Sequence, residues 1–273
     1  MSAGNNRAVR FLYGTMPGRV CLKALLAARA DRLWAAFLHT HLSRRLITPY
    51  ARRHGIACSD AKQFSSFAAF FSREVPHLPF DPAPERLISP CDGWLSVHAL
   101  QPDAVFNIKN SVYTLGDILQ DAALGREFAG GLCLIFRLCP SDYHRYCYID
   151  DGTQGENHFI EGTLHSVQPL ACGQFPVYAQ NRRSWTLLNT RHFGAVVQAE
   201  IGALAVGGIV NPHQNCTFYK GQEKGYFTLC GSTIVLFTKA NAVHLLPRIL
   251  AEAKNGEVRV HYGQWIGLAG ECI

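Results

Sequence analysis

The rhythm of apolar positions changes near residue 75. Before it the pattern is mostly helical, and Cys21–Leu38 and Phe64–Arg73 are the clearest helix candidates. In the first of these, Leu22, Leu26, Leu33 and Phe37 fall within about 60° at a helical 100° per residue, with Arg29 intruding on that face. Pro76, Pro79, Pro82, Pro84 and Pro90 follow. Proline lacks an amide donor and biases its predecessor away from helix, so this passage predicts an extended connector and a domain boundary. Beyond it, short apolar runs are bounded by Gly, Asp and Asn. Trp94–Leu100, Leu132–Leu138, Arg145–Ile149, Val196–Ile201, Ala203–Val210, Tyr226–Leu229 and Thr233–Thr238 predict strands. Thr114–Leu124 and Ala242–Lys254 predict helices, the second broken or bent near Pro247. The expected fold class is α+β: a helical part over residues 1–75, then a β-rich domain over residues 76–273.

With 273 residues, 48% of them hydrophobic and 17% charged, the chain has material for a substantial core and is neither disordered nor collagen-like in composition. Its charge is placed unevenly. Residues 1–55 hold ten Lys/Arg against one acid, Asp31, and so carry +9, while the whole chain is +6 and residues 56–273 therefore sum to −3. The cations are interleaved with Phe11, Leu12, Leu22, Leu25, Leu26, Leu33, Trp34, Phe37 and Leu38, a mixture that suits an anionic membrane surface. The plainer alternative is a surface helix packed on its own domain. Nucleic acid is not the expected partner, because no zinc-finger, RRM or KH signature accompanies the charge. No stretch reaches the roughly 18 apolar residues needed to span a bilayer. The nearest, Ala195–Val210, is broken by Gln198 and Glu200. The expectation is a peripheral protein on the cytoplasmic face of the cell membrane; a mitochondrial transit peptide is the rival reading of an Arg-rich, acid-poor start.

Ten cysteines (Cys21, Cys58, Cys91, Cys133, Cys139, Cys147, Cys172, Cys216, Cys230 and Cys272) include no CxxC pair. They are expected to be free thiols in a reducing compartment, and the spacings give no zinc site.

Three segments can carry chemistry. Ser89-Pro90-Cys91-Asp92-Gly93 is a turn leading into a strand. Arg137 to Arg145 contains Asp142-Tyr143-His144-Arg145. Lys220 to Phe227 precedes Cys230-Gly231-Ser232-Thr233. Each has a bland reading: Asp-Gly is commonly a turn, a single histidine a hydrogen-bonded structural residue, and Gly-Ser a strand entry. Together, and in this order, they resemble the phosphatidylserine decarboxylase family. Ser89–Gly93 is similar to its acidic turn, Asp142–Arg145 to its histidine motif, and Gly231-Ser232-Thr233 to its self-processing site. Phe106-Asn107-Ile108-Lys109, Asn189-Thr190, Gly202-Ala203, Gly207-Gly208-Ile209-Val210 and Phe11–Arg19 extend the resemblance over most of the chain.

The resemblance implies a proenzyme that cuts itself between Gly231 and Ser232 and converts Ser232 into a pyruvoyl group. It implies that the pyruvoyl forms a Schiff base with phosphatidylserine and releases carbon dioxide to give phosphatidylethanolamine, with neither metal nor pyridoxal phosphate. Such a reaction leaves a carbanion that ordinary side chains cannot delocalise. Serine needs a base to act as nucleophile; His144 is the first candidate, with Asp92 orienting it. The family often has a second histidine three residues later, where this chain has Cys147, and His165 is the second candidate. The larger chain, 1–231, and the smaller, 232–273, are expected to stay associated, and a homo-oligomer is left open. Two other readings stand beside this one: a serine hydrolase using Asp92, His144 and Ser232, although no GxSxG elbow is present, and a non-catalytic membrane-binding module.

Overall fold

The computed structural model describes residues 7–27, 30–58, 60–108, 111–167, 169–172, 175–203, 208–229 and 232–270. Helices Arg7–Gly14, Met16–Ala27, Ala30–Leu38 and Ile47–His54 come first, with a 3-10 turn at His41–Leu46 and a short helix at Phe67–Phe71. The first two cross closely, because a Cβ at Gly18 would run into the Phe11 carbonyl. Gly55, at φ 66°, ends Ile47–His54 in the left-handed region where glycine carries no Cβ penalty. Buried Ser43 ties this part together: its Oγ donates to Leu38 O at 2.9 Å and accepts from Phe67 N at 2.9 Å.

Strands begin at Arg86–Ile88, and the largest sheet is antiparallel. Its order is Cys216–Phe218, Gly152–Gln154, Arg183–Thr190, Ala195–Gly202, Ser232–Thr238, Leu132–Leu138, Gly93–Ala99 and Val258–Val260, with His158–Ile160 also paired to Arg183–Thr190. Ser232–Thr238 sits inside it. On one side Ser232 opposes Gly202 and Thr238 opposes Val196; on the other Ser232 opposes Leu138 and Thr238 opposes Leu132.

Alternation along that strand divides the core. Ile234 and Leu236 pack with Leu134, Phe136, Leu138, Leu188 and Val196 on one face. Val235 and Phe237 pack with Cys133, Ile135, Val197, Ala199 and Ile201 on the other. The first face is covered by two small sheets, one of Arg86–Ile88, Trp265–Ala269 and Val243–Leu245, the other of Ile209–Val210, Glu223–Phe227 and Arg145–Cys147. The second is covered by the hairpin Val105–Ile108 and Ser111–Thr114 and by helices Leu115–Leu119 and Val177–Gln180. A strand buried on both faces reads as an unbroken apolar run, which is why Thr233–Thr238 was legible.

The α+β class holds, and several predicted elements change. Cys21–Leu38 divides between two helices, with residues 28 and 29 outside the described set. Leu22 is buried while Leu33 and Phe37 are exposed, so the predicted single arc is not one face. Thr114–Leu124 breaks at Gln120, whose φ is 55°, into Leu115–Leu119 and Ala122–Arg126, each with its own cap: Thr114 Oγ1 accepts Asp117 N and Asp121 Oδ1 accepts Leu124 N. Pro247 starts a helix, Pro247–Ala253, rather than bending one; the residues before it form the strand Val243–Leu245. Of Ala203–Val210, residues 204–207 lie outside the described set and Ile209–Val210 is a strand. Arg183–Thr190, a long sheet strand, was not predicted. No described helix is long and apolar enough to cross a membrane.

Gln198 and Glu200, which interrupt the apolar run, point into the protein. Glu200 Oε1 accepts from Lys224 Nζ at 2.9 Å and from Gln198 Nε2 at 3.1 Å, and Oε2 accepts from Asn211 Nδ2 at 2.8 Å. Both charged side chains are fully buried. Removing one partner of such a pair strands the other charge, whereas replacing both by apolar groups can be neutral. Lys224→Met is therefore expected to destabilise the protein by about 3–5 kcal/mol in denaturant unfolding, and adding Glu200→Leu to recover most of that loss. A double variant no more stable than the single one contradicts this account.

Candidate active site

The site forms where Ser232–Thr238 begins. Ser232 shares its face with Ile234, the face covered by Arg145–Cys147 and Glu223–Phe227. From Leu138, opposite Ser232, the chain turns through Cys139–Asp142 to His144, and His144 O then accepts Phe227 N at 3.0 Å. His144 and Ser232 are thereby brought to the same end of the sheet.

Asp142 holds the turn. Its carboxylate accepts from Cys139 N at 2.7 Å and from both ends of the Arg259 guanidinium, at 2.8 and 3.0 Å. Its carbonyl accepts a hydrogen bond from His144 Nδ1 at 2.8 Å. A carbonyl can only accept, so the imidazole hydrogen is on Nδ1. The ring is buried against Phe71, with centroids 4.2 Å apart. Burial lowers its pKa from 6.5 to about 4, against an opposing contribution from the Asp142 hydrogen bond. At neutral pH His144 is uncharged, and Nε2 presents a bare lone pair. That atom is buried without a hydrogen-bond partner, and so is Ser232 Oγ. Leaving such groups unsatisfied typically costs about 1–3 kcal/mol each. Thr233 Oγ1 and Thr238 Oγ1 on the same strand and Gln198 Oε1 are also buried without a partner, so it is the chemistry of a serine and a histidine that singles these two out.

The other predicted residues are placed as follows. Asp92 does not bond to the His144 ring. Its carboxylate accepts Tyr143 N at 3.4 Å and Tyr262 N at 2.9 Å, and His261 Nδ1 lies 3.6 Å away. It thus meets the histidine loop one residue before His144, and the group on Nδ1 is the Asp142 carbonyl. His165 is buried elsewhere, stacked on Phe175 at 4.4 Å. Cys147 is a buried thiol directed at Pro90 O at 3.6 Å, and burial pushes its pKa up to about 12, so it stays neutral and is no general base near pH 7. Gly231 and Cys230 lie outside the described residues. No cluster of potential metal ligands occurs among the described residues.

Sequence reasoning missed Arg259, Phe71 and Tyr262. Arg259 is 117 positions from Asp142, and no spacing rule links them. Its one signal is a charge between Val258 and Val260 in a strand. Phe71 belonged to a predicted helix, but nothing local says that its ring closes over a histidine.

A neutral histidine with a bare Nε2 and a buried serine hydroxyl, each without a hydrogen-bond partner and so not bonded to one another, are the groups a nucleophile–base pair draws on. The sequence model of phosphatidylserine decarboxylase matches residues 67–268. Phosphatidylserine decarboxylase proenzyme 2 of Clostridium acetobutylicum is 41% identical over 268 residues, covering 96% of this chain and 92% of that protein. The phosphatidylserine decarboxylase proenzymes of Ruminiclostridium cellulolyticum and Desulfitobacterium hafniense are 36% and 33% identical, over 98% and 96% of this chain and 92% of each of those proteins. The chain belongs to the phosphatidylserine decarboxylase family.

The depressed histidine pKa has a measurable consequence. In the unfolded chain a histidine takes its proton near pH 6.5, and in the folded protein His144 takes it only near 4. Between those values the unfolded state binds more protons, so this residue's contribution to stability is lost as pH falls from about 6.5 towards 4. Imidazole NMR should show His144 neutral at pH 5.5 and titrating near 4; a midpoint of 6 or above contradicts the burial account.

Proposed function

We propose that the chain is the proenzyme of a phosphatidylserine decarboxylase, a carboxy-lyase that converts phosphatidylserine to phosphatidylethanolamine and carbon dioxide. The observation that supports the reading is that Ser232 Oγ, at the head of the central strand, and His144 Nε2, six residues beyond the Leu138 that opposes Ser232, are both buried without a hydrogen-bond partner. His144 Nε2 takes the Ser232 hydroxyl proton as the oxygen bonds to the Gly231 carbonyl carbon. The peptide C–N bond breaks, Ser232 N gains a proton, and an ester joins the two residues. Loss of the Ser232 Cα proton and cleavage of Cβ–Oγ free the Gly231 carboxylate and leave dehydroalanine, which water converts to a pyruvoyl group with release of ammonia. The residues fit such a group: Ser232 is buried with an unbonded hydroxyl, and its cross-strand partner Gly202 carries no side chain. The pyruvoyl carbonyl supplies the electron sink that decarboxylation next to an amine requires. Asp92, through Tyr143 N, and Asp142, through Nδ1, keep the His144 loop and ring in place. His144 then serves as proton carrier during turnover.

Residues 232–273 remain bound to 1–231 after the cut. Ser232–Thr238 pairs on both edges with strands of the larger part, and Val258–Val260 and Trp265–Ala269 pair with Gly93–Ala99 and Arg86–Ile88.

The substrate is a lipid, and the N-terminal part is suited to meet one as a peripheral element on the cytoplasmic face of a membrane. Phe11, Met16, Val20, Leu33, Trp34, Phe37 and Leu42 are exposed, and so are Arg10, Arg19, Lys23, Arg32 and Arg45. Apolar exposure is thus concentrated where the positive charge is.

Ser232→Ala is expected to give one uncleaved chain without decarboxylase activity, on a denaturing gel and in a carbon dioxide release assay. The wild type should give two chains, the smaller with a blocked, carbonyl-bearing N-terminus. Two bands from Ser232→Ala remove the cleavage assignment, and an intact Ser232 that reacts with a fluorophosphonate makes the protein a hydrolase. His144→Ala should slow processing greatly while the fold persists.

Replacing Arg10, Arg19 and Lys23 together by Gln should weaken binding to phosphatidylserine-containing vesicles by roughly a hundredfold at low salt, at about 1 kcal/mol per cation. Co-sedimentation unchanged by the triple variant and by added salt contradicts an electrostatic membrane face.

A further inference from the structure

The first helix reaches into the body of the protein through one side chain. Tyr13, on Arg7–Gly14, is fully buried although Arg10, Phe11 and Gly14 are exposed. Its ring lies edge-on to His165, with centroids 6.1 Å apart, and to Phe175, at 5.9 Å. Its hydroxyl oxygen accepts Ser166 N at 2.8 Å and lies 3.4 Å from His165 Nδ1. Burial pushes the hydroxyl up to about 12, so it keeps its hydrogen at neutral pH. With the oxygen already accepting from Ser166, that hydrogen is available to Nδ1. Burial also lowers the His165 pKa, so the ring is neutral, and an Nδ1 that accepts leaves the ring hydrogen on Nε2.

The loop that Tyr13 grips is tied to the reactive strand. His165 N donates to Asn181 Oδ1 at 2.9 Å, and Asn181 Nδ2 donates to His165 O at 2.8 Å and to Gly202 O at 2.7 Å. Gly202 is the cross-strand partner of Ser232. An unbroken series of hydrogen bonds, closed by that strand pairing, therefore runs from the N-terminal helix through Tyr13, the His165–Ser166 segment, Asn181 and Gly202 to Ser232. The helix at its start is the one bearing exposed Arg10 and Phe11.

We propose that Tyr13 is a positioning residue for decarboxylation: it holds His165 as the Nε2–H tautomer and fixes the Leu164–Val167 loop beside the strand end that carries Ser232. The proposal rests on the decarboxylase reading and concerns turnover, not self-cleavage, so the two are read separately.

The test uses the mature two-chain enzyme. Tyr13→Phe keeps the ring and removes only the hydroxyl. Cleavage on a denaturing gel and the thermal midpoint should stay near wild type. kcat on phosphatidylserine–detergent micelles should fall roughly three- to tenfold, the scale of one lost hydrogen bond, with KM changed less than about twofold. His165→Phe should lower kcat at least as far, and the double variant should add little, since both act through one contact. Long-range 1H–15N correlation on the wild-type protein should show His165 protonated at Nε2 and bare at Nδ1, a readout that needs no variant to fold. A wild-type ring protonated at Nδ1, an unchanged kcat in Tyr13→Phe, or fully additive losses in the double variant overturns the proposal. A wild-type chain that never cleaves overturns the proenzyme reading instead.

Discussion

The structure depends on the pairing of Ser232–Thr238 along both edges. It is an inner strand of the largest sheet, and its side chains supply both cores, Ile234 and Leu236 to one and Val235 and Phe237 to the other. A break in the chain just before such a strand leaves two complete ladders in place, so covalent continuity there is not what holds the fold together. The same placement buries Ser232. A hydroxyl in that position has no solvent to compensate it.

The histidine is prepared by a different device. Asp142 uses its carboxylate to close a turn and engage Arg259, and its carbonyl to hold the Nδ1 hydrogen of His144. Phe71 covers the ring and keeps water away. One residue thus sets the tautomer while burial sets the charge. The result is a neutral imidazole, which an exposed histidine would be only in part at neutral pH. Asp92 acts one step further out, on the backbone of Tyr143, so the arrangement is not a linear Asp–His–Ser relay.

The N-terminal helices are structurally continuous with this site. Leu38, Ile47, Phe67 and Phe71 share a core with Leu229, three residues before Ser232, and Tyr50 donates to the Pro140 carbonyl in the histidine turn at 2.8 Å. Tyr13 makes a second junction on the opposite side of Ser232's strand, towards Gly202. A part that reads in the sequence as a basic appendage therefore also packs against the His144 ring, and the family match beginning at residue 67 takes in Phe71.

The sequence by itself determined the α+β class, the burial of Thr233–Thr238 and the family to which the chain belongs. Those signals are local: an apolar run of strand length, a proline-rich break, and short ordered motifs such as Asp142–Arg145 and Gly231-Ser232-Thr233. Element boundaries are legible only where the local pattern has one reading: a proline marks a helix start, a break or a bend alike, so Pro247 does not say which, and Gln120 gives no sign of its left-handed φ. Tertiary structure decided everything that depends on contacts distant in sequence. It decided that Asp142, not Asp92, meets the His144 ring, that Cys147 is a neutral buried thiol, that Glu200 has Lys224 as counter-ion, and that Tyr13 reaches His165. Protonation states and tautomers follow from burial and from the partner on each ring nitrogen, and both are created only when strands far apart in the chain are brought side by side.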